Sequence, residues 1–241
     1  MKILGFDTAT RATAVALLDT HNDEALERRD DPEPGVRPRH TTRLMALIVD
    51  VMDGAGTGWT AIDRIAVGVG PGTFTGLRIG VATAHALSRA RDIPLVGVST
   101  LHSLARGAVT GGEVPEDAVM AVIDARRGEV FAGGWATQDV ARSGAEPLLP
   151  PRPLAPTALA QTIGQSDRAW LAVGDGAIEF RSALERSGAR ILRRDAVRNR
   201  VSAIEHCRLA SGMAPVALGG VQPEYLRLPD AEITLRSARQ S

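Results

Sequence analysis

Apolar and polar positions along the chain lay out an α/β protein. Ile3–Asp7 is a short apolar run and Ala12–Leu18 a second one, of small and branched residues. The polar link Thr8-Ala9-Thr10-Arg11 predicts that the two pair as a hairpin. Residues 27–39 are charged and punctuated by Pro32, Pro34 and Pro38, which predicts a surface loop. From Thr41 the period turns helical, with Leu44, Leu47, Ile48 and Val51 on one stripe and Gly54 as the stop. A strand over 65–70 follows, then a helix from Thr75 to Arg91, a break at Asp92-Ile93-Pro94 and a strand over Leu95–Val98. This order of strands and helices predicts an α/β layer on a mixed sheet.

Gly111-Gly112-Glu113-Val114-Pro115 is a candidate boundary. Beyond it, Val119–Asp124 and Glu129–Trp135 read as strands joined through Ala125-Arg126-Arg127-Gly128. The proline-rich stretch 141–157 predicts a linker or long loop. Trp170–Val173 is a strand ending in Gly174-Asp175-Gly176, with helices to follow over Ile178–Ser187 and Val201–Gly212. The tail from Ser237 is expected to be disordered. A hairpin heads each half, at Ile3 and at Val119, which points to a duplicated architecture.

Composition narrows the function. At 241 residues and 44% apolar content the chain can bury a core as one or two domains. Zero formal charge leaves no global field toward nucleic acid or a membrane. Lys2 is the lone lysine, which fits either codon bias or a use for arginine forks. Aromatics at 3% speak against base stacking on single strands. A single cysteine, Cys207, allows no internal disulfide. The start Met-Lys-Ile-Leu-Gly-Phe-Asp has no signal-peptide core, and no apolar run approaches the roughly 18–20 residues of a membrane span. A soluble, cytoplasmic chain is expected.

Residues 68–80 place five glycines in thirteen positions between a strand and a helix. Such a turn opens a helix N-terminus and suits phosphate. Yet it fits neither G-x-x-x-x-G-K-[ST] nor G-x-G-x-x-G, and it has no lysine. It reads equally as a tight turn whose Gly76 and Gly80 admit a close neighbour. Asp7 ends its strand in a hydroxyl-rich turn and is either a Mg²⁺–phosphate ligand or a cap; Asp124 is its counterpart in the second half. Among His21, His40, His85, His102 and His206 no two stand at i, i+4. Cys207 lies in a helical stretch beside His206, and Ser99 and Ser103 show no base, so the sequence supports no nucleophilic site.

Six motifs then occur in order: Gly5-Phe6-Asp7-Thr8-Ala9-Thr10, Arg39-His40-Thr41, Gly70-Pro71-Gly72-Thr73-Phe74-Thr75-Gly76-Leu77-Arg78-Ile79-Gly80, Gly97-Val98-Ser99-Thr100-Leu101, Ile123-Asp124-Ala125-Arg126-Arg127-Gly128-Glu129-Val130 and Pro223-Glu224-Tyr225-Leu226-Arg227. Together they resemble the TsaB (YeaZ) family, partner subunits of the bacterial machinery that makes threonylcarbamoyladenosine beside the anticodon of tRNA. The resemblance covers residues 1–135 well and 170–228 more loosely.

The resemblance implies an α/β chain of the two-lobed actin/Hsp70/sugar-kinase (ASKHA) fold, each lobe a mixed sheet with flanking helices. Residues 1–110 would form the lobe with the partner-binding helices, 111–200 the second lobe, 201–228 a helix and segment returning to the first, and 229–241 a tail. It also implies a catalytic paralogue, TsaD, whose metal-binding His-x-x-x-His falls on Thr100 and Leu104 here, with His102 off register. Neither side chain replaces an imidazole, so no catalytic residue and no metal site is expected in this chain. It would be a non-catalytic scaffold that binds and activates TsaD as a heterodimer. The interface is expected at Leu44, Leu47, Ile48, Val51, Thr73, Phe74, Leu77, Arg78 and Val81, widened by Met45, Ala46 and Met52 and by the small residues Ala84 and Ala86; the alternative is that both helices only cover their own sheet. The TsaE ATPase would join the pair, a homodimer would form without the partner, and tRNA would be met through the complex. ATP and Mg serve the complex, and this chain requires no cofactor. A vestigial nucleotide site, binding weakly at most, falls on Asp7, Thr8, Gly70, Gly72, Asp124, Gly174, Asp175 and Gly176. The competing readings are a small-molecule kinase or ATPase of the same fold, with Asp7 and Asp124 around Mg–ATP, and a peptidase.

Overall fold

The computed structural model describes residues 1–33, 35–217 and 219–227. The first lobe contains β1 (Lys2–Asp7), β2 (Thr13–Asp19), β3 (Glu24–Asp30), α1 (His40–Gly54), β4 (Arg64–Gly70), α2 (Phe74–Arg91) and β5 (Leu95–Ser99). Helix α3 (Thr100–Val109) leads to the second lobe: β6 (Ala118–Arg126), β7 (Glu129–Ala136), β8 (Leu149–Leu154), α4 (Pro156–Gly164), β9 (Trp170–Val173), α5 (Asp175–Glu179), α6 (Arg181–Arg186) and β10 (Arg190–Ile191). Helix α7 (Ala203–Ser211) then returns to the first.

The sheets run β3-β2-β1-β4-β5 and β8-β7-β6-β9-β10. In each, an antiparallel meander is extended by two parallel strands. Strand for strand the topology is the same, so the duplication suggested by the two hairpins is complete. It is the ASKHA fold.

Alternation along β1 builds the first core on both faces of its sheet. Leu4 and Phe6 join Leu44, Leu47, Ile48 and Val51 of α1 and Val81 and Ala84 of α2. Ile3 lies on the other face with Ala203, Cys207 and Leu209 of α7. Gly5 points the same way, and the Cys207 thiol fills the place its side chain would take. The second sheet packs one face on α3 through Leu101, Leu104 and Ala105, and the other on α4 and α6 through Leu159, Ile163 and Leu184. The central helices α3 and α7 touch each other where the lobes meet. Among the described residues no helix is long and apolar enough to cross a membrane.

Four departures from the sequence expectation bear on the fold, and α4 and β10 likewise lie where no element was expected. The loop expected over 27–39 begins only after β3, an edge strand paired with β2 from Asp30 to Glu24 although its sequence, EALERRD, has almost no apolar face. The expected linker 141–157 contains β8, whose prolines sit on a sheet edge, where lost N–H donors matter least. Helix α3 falls on a stretch given no element, although its Leu101, Leu104, Ala105 and Ala108 form an apolar stripe at helical spacing; Ser99 caps it by accepting from the His102 amide at 3.4 Å. The helix expected over Ile178–Ser187 is two short ones, α5 and α6, meeting at Phe180. The proposed tail over 229–241 lies outside the described residues.

The glycines of 68–80 are consumed by the chain itself. A side chain at Gly72 would overlap the Ala9 carbonyl, and one at Gly76 the Thr8 carbonyl. The Thr73 amide donates to that Ala9 carbonyl at 2.7 Å, and the Thr8 hydroxyl to the Gly76 carbonyl at 2.7 Å. We expect Gly72→Ala to cost roughly 2 kcal/mol or more in urea unfolding. Gly58→Ala, which meets nothing within 4 Å, should stay within about 1 kcal/mol of wild type and on the stabilising side.

Candidate functional site

Strand β1 delivers Asp7 to the junction of α3 and α7, where it is 1% exposed. Room for its carboxylate exists because Gly68 has no side chain. One oxygen, Oδ1, accepts the Ala9 amide at 2.8 Å, while Oδ2 accepts the Thr100 hydroxyl at 2.8 Å and lies 3.1 Å from Nε2 of His206. The His206 contact is off the line of a straight N–H···O bond, a close polar contact rather than a full hydrogen bond. Burial opposes the charge, but His206, Thr100 and the Ala9 amide outweigh it and hold the Asp7 carboxyl below the usual carboxylate range.

Nδ1 of His206 in turn meets the Ser103 hydroxyl at 2.8 Å and the Ser202 carbonyl at 2.9 Å. Ser103 therefore has the basic neighbour that the sequence did not reveal, and an aspartate, a histidine and a serine stand in a row. None is more than 1% exposed, and the Ser103 hydroxyl lies 3.1 Å from the Ser202 carbonyl as well. A substrate carbonyl has no approach, so the row is a structural clamp on α3 and α7 and supplies no peptidase site.

The second lobe repeats the arrangement. Asp124 lies two residues before the end of β6, at a shift in its register with β7, where Asp7 ends β1 outright; its carboxylate accepts the Arg126 amide at 2.8 Å and pairs with the Arg126 guanidinium at 3.1 Å. Asp175 accepts the amides of Asp124 at 3.0 Å and Gly176 at 2.9 Å. The space a side chain would need at Gly174 and Gly176 is taken by the backbone of Val122 and Ile123.

Between the lobes lies a cleft of about 190 Å³, walled by Thr10, Arg11 and Ala12 on one side and Leu104, Ile123 and Asp175 on the other. Ligand pockets run to roughly 300–1,000 Å³. Its arginines are engaged: Arg29 pairs with Asp31 at 3.0 Å, and Arg11 donates to the carbonyls of Glu33 at 3.0 Å and Val36 at 2.7 Å. Mg–ATP, which the fold implies, does not fit these residues. Asp7 is sealed, Asp124 is paired, and backbone atoms occupy the glycine cradles. The vestigial nucleotide site expected at Asp7, Thr8, Gly70, Gly72, Asp124, Gly174, Asp175 and Gly176 is corrected on that ground; these residues are packing contacts. Among the described residues no cluster of histidine, cysteine and acidic side chains is arranged to hold a metal.

The interface expectation also needs correction. Leu44, Leu47, Ile48, Val51, Leu77 and Val81 are at most 5% exposed, turned onto their own sheet. Thr73 and Arg78 are exposed and Phe74 half-buried. The free sides of α1 and α2 carry Met45 at 43% exposure, Ala46 and Ala86, which the expectation included, together with Val49 at 50% and Ala82, which it did not; Met52 and Ala84 are buried. His40 is not part of that surface; it is buried, with Nδ1 2.8 Å from the Thr13 hydroxyl, and burial lowers its pKa.

A carboxyl held low in the fold lends stability above its unfolded pKa of about 3.9 and loses it as the pH falls through the folded value. Asp7→Asn should thus cost about 3 kcal/mol at neutral pH. The gap between variant and wild type in denaturant melts should close below pH of about 4. A constant gap from neutral to acid would show that the charge carries none of the stability.

Comparison with known proteins sets this geometry in a family. Residues 29–146 match the family model described as TsaD: tRNA N6-adenosine threonylcarbamoyltransferase. The tRNA threonylcarbamoyladenosine biosynthesis protein TsaB of Escherichia coli (strain K12) is 40% identical over 136 residues, 56% of this chain and 54% of that protein. The matched stretch thus spans about half the length of that relative. The Bacillus subtilis (strain 168) protein of the same name is 26% identical over 235 residues, 96% of each chain. A crystal structure of an uncharacterized protein with similarity to peptidase YEAZ from Pseudomonas aeruginosa superposes with a TM-score of 0.74 at 31% identity, covering 94% of this chain and 99% of that one. Sequence likeness and shared architecture agree over nearly the whole length, and the chain belongs to the TsaB/YeaZ family.

Proposed function

We propose that this chain acts in tRNA threonylcarbamoyladenosine synthesis as a non-catalytic subunit that docks on, and activates, a TsaD-type transferase. The observation that carries the reading is the outward face of α1 and α2. There Met45, Val49, Ala46, Ala82 and Ala86 form an apolar, small-residue surface on helices whose other sides already cover their own sheet. Small residues let a second pair of helices come close, and an exposed apolar patch of this kind marks a protein–protein site.

The interior supports the non-catalytic half of the reading. Thr100 and Leu104 stand where the resemblance places the paralogue's metal-binding histidines. Thr100 is spent on Asp7 and Leu104 walls the cleft. A TsaE-type ATPase joins the heterodimer, tRNA is met through the complex, and the same α1–α2 face pairs two copies of this chain when the transferase is absent.

Reconstitution of the chain with its cognate TsaD and TsaE on tRNA, leaving out one protein at a time, tests the proposal; modification should vanish when this chain is omitted. Val49→Glu and Ala86→Glu should leave the melting temperature near wild type while weakening TsaD binding about 100-fold. Leu47→Glu should instead unfold the first lobe, because its side chain is interior. Wild-type affinity in both surface variants would contradict the docking face, and full modification without the chain would contradict the function.

A further inference from the structure

Two crossings join the lobes at the floor of the cleft, one through α3 and one through residues 199–203 just before α7. The chain makes a third. After α7 it runs along the β5 edge of the first sheet, where the Val216 amide donates to the Leu95 carbonyl at 3.2 Å. Val221 is buried beside Gly97, and its carbonyl is held by Nε2 of His85 at 2.8 Å. The Glu224 amide then donates to the Val69 carbonyl at 2.7 Å, at the end of β4. Tyr225 packs tilted against Phe74, ring centroids 5.1 Å apart, and its hydroxyl accepts from Arg78 Nε at 3.1 Å.

The next two residues belong to the other lobe. Leu226 packs on the apolar cluster of the second sheet, and Arg227 pairs with Glu129 at 2.9 Å, the first residue of β7. Between Tyr225 and Leu226 the chain passes from the glycine-rich turn of one lobe to the hairpin of the other. The end of β4 in one lobe and the start of β7 in the other are thus bridged by a few residues.

We propose that residues 225–227 are a clasp between the lobes, whose seating on the second lobe sets how far the lobes open. The anchorage on the first lobe is extensive, with backbone bonds at Val216 and Glu224 and the Tyr225–Phe74 ring contact. Among the described residues, the hold on the second lobe includes the Leu226 side chain and the Arg227–Glu129 ion pair, whose side chains are 22% and 44% exposed. Ion pairs this exposed are weak, so the clasp releases at its second-lobe end while the strap stays on β5 and β4. It operates in the chain alone, whatever docks on α1 and α2.

Spin labels on exposed positions of the two lobes, Asp53→Cys and Gln165→Cys, read the opening by dipolar spectroscopy. Cys207 stays unlabelled, because full burial pushes its thiol far above the usual range. Arg227→Ala and Leu226→Ala, introduced together, should shift and broaden the interlobe distance distribution. Amides of residues 9–12 in the cleft wall should exchange about ten-fold faster. Glu129→Gln, which keeps the shape of the hairpin, should give a smaller shift in the same direction. A charge exchange, Arg227→Glu with Glu129→Arg, should restore the wild-type distribution. Distances and cleft-wall exchange unchanged in variants that still melt cooperatively would overturn the proposal, and so would exchange that rises equally throughout both lobes.

Discussion

The carboxylate of Asp7 is withdrawn from water where β1 runs into both central helices, and an unpaired charge there would cost several kcal/mol. Its partners are therefore obligatory, and they come from three distant parts of the chain: the Ala9 amide, Thr100 on α3 and His206 on α7. Placing the charge requires Gly68, and the loop that follows Asp7 requires Gly72 and Gly76. The same requirement draws α7 back onto the first sheet and seats Ser103 against His206. A motif with the composition of a phosphate loop is, in this molecule, the socket for the chain's own strand-to-strand turn.

Legibility in the sequence followed the strength of local patterning. The hairpin of β1 and β2, the stripe on α1, the strand–turn–helix of β4 and α2, and strand β9 were readable because each shows its own period or punctuation. Strand β3 was not, since pairing with β2 makes it a strand and its side chains barely differ from a loop's. Helix α3 is a different case: Leu101, Leu104, Ala105 and Ala108 recur at i, i+3, i+4 and i+7 opposite Arg106 and Gly107, a helical period that was present in the sequence and passed over. Strand β8 carries three prolines that its edge position tolerates.

The site was legible in outline and misread in detail. Strand-terminal Asp7 and Asp124 and the glycine turns stood out, but whether a glycine leaves a space or yields it to a neighbouring backbone is a tertiary fact. The stripe Leu44, Leu47, Ile48 and Val51 was visible and turned out to be the inward one; Met45 and Val49, between those positions, face out. His206 and Ser103 lie about a hundred residues apart in sequence and showed no signal of their pairing.

Both lobes share a plan of an aspartate at or near a strand end and a glycine turn, and in both the glycines serve packing, with Leu104 and Ile123 walling the cleft. On the proposed function, a chain so built acts through its surfaces. Calorimetric titration of the isolated protein with Mg–ATP tests that claim most directly. Binding weaker than about 1 mM, with no nucleotide turnover, is the result this account predicts. Micromolar binding lost in Asp7→Asn or Asp124→Asn would contradict it, since both carboxylates would then be serving a nucleotide.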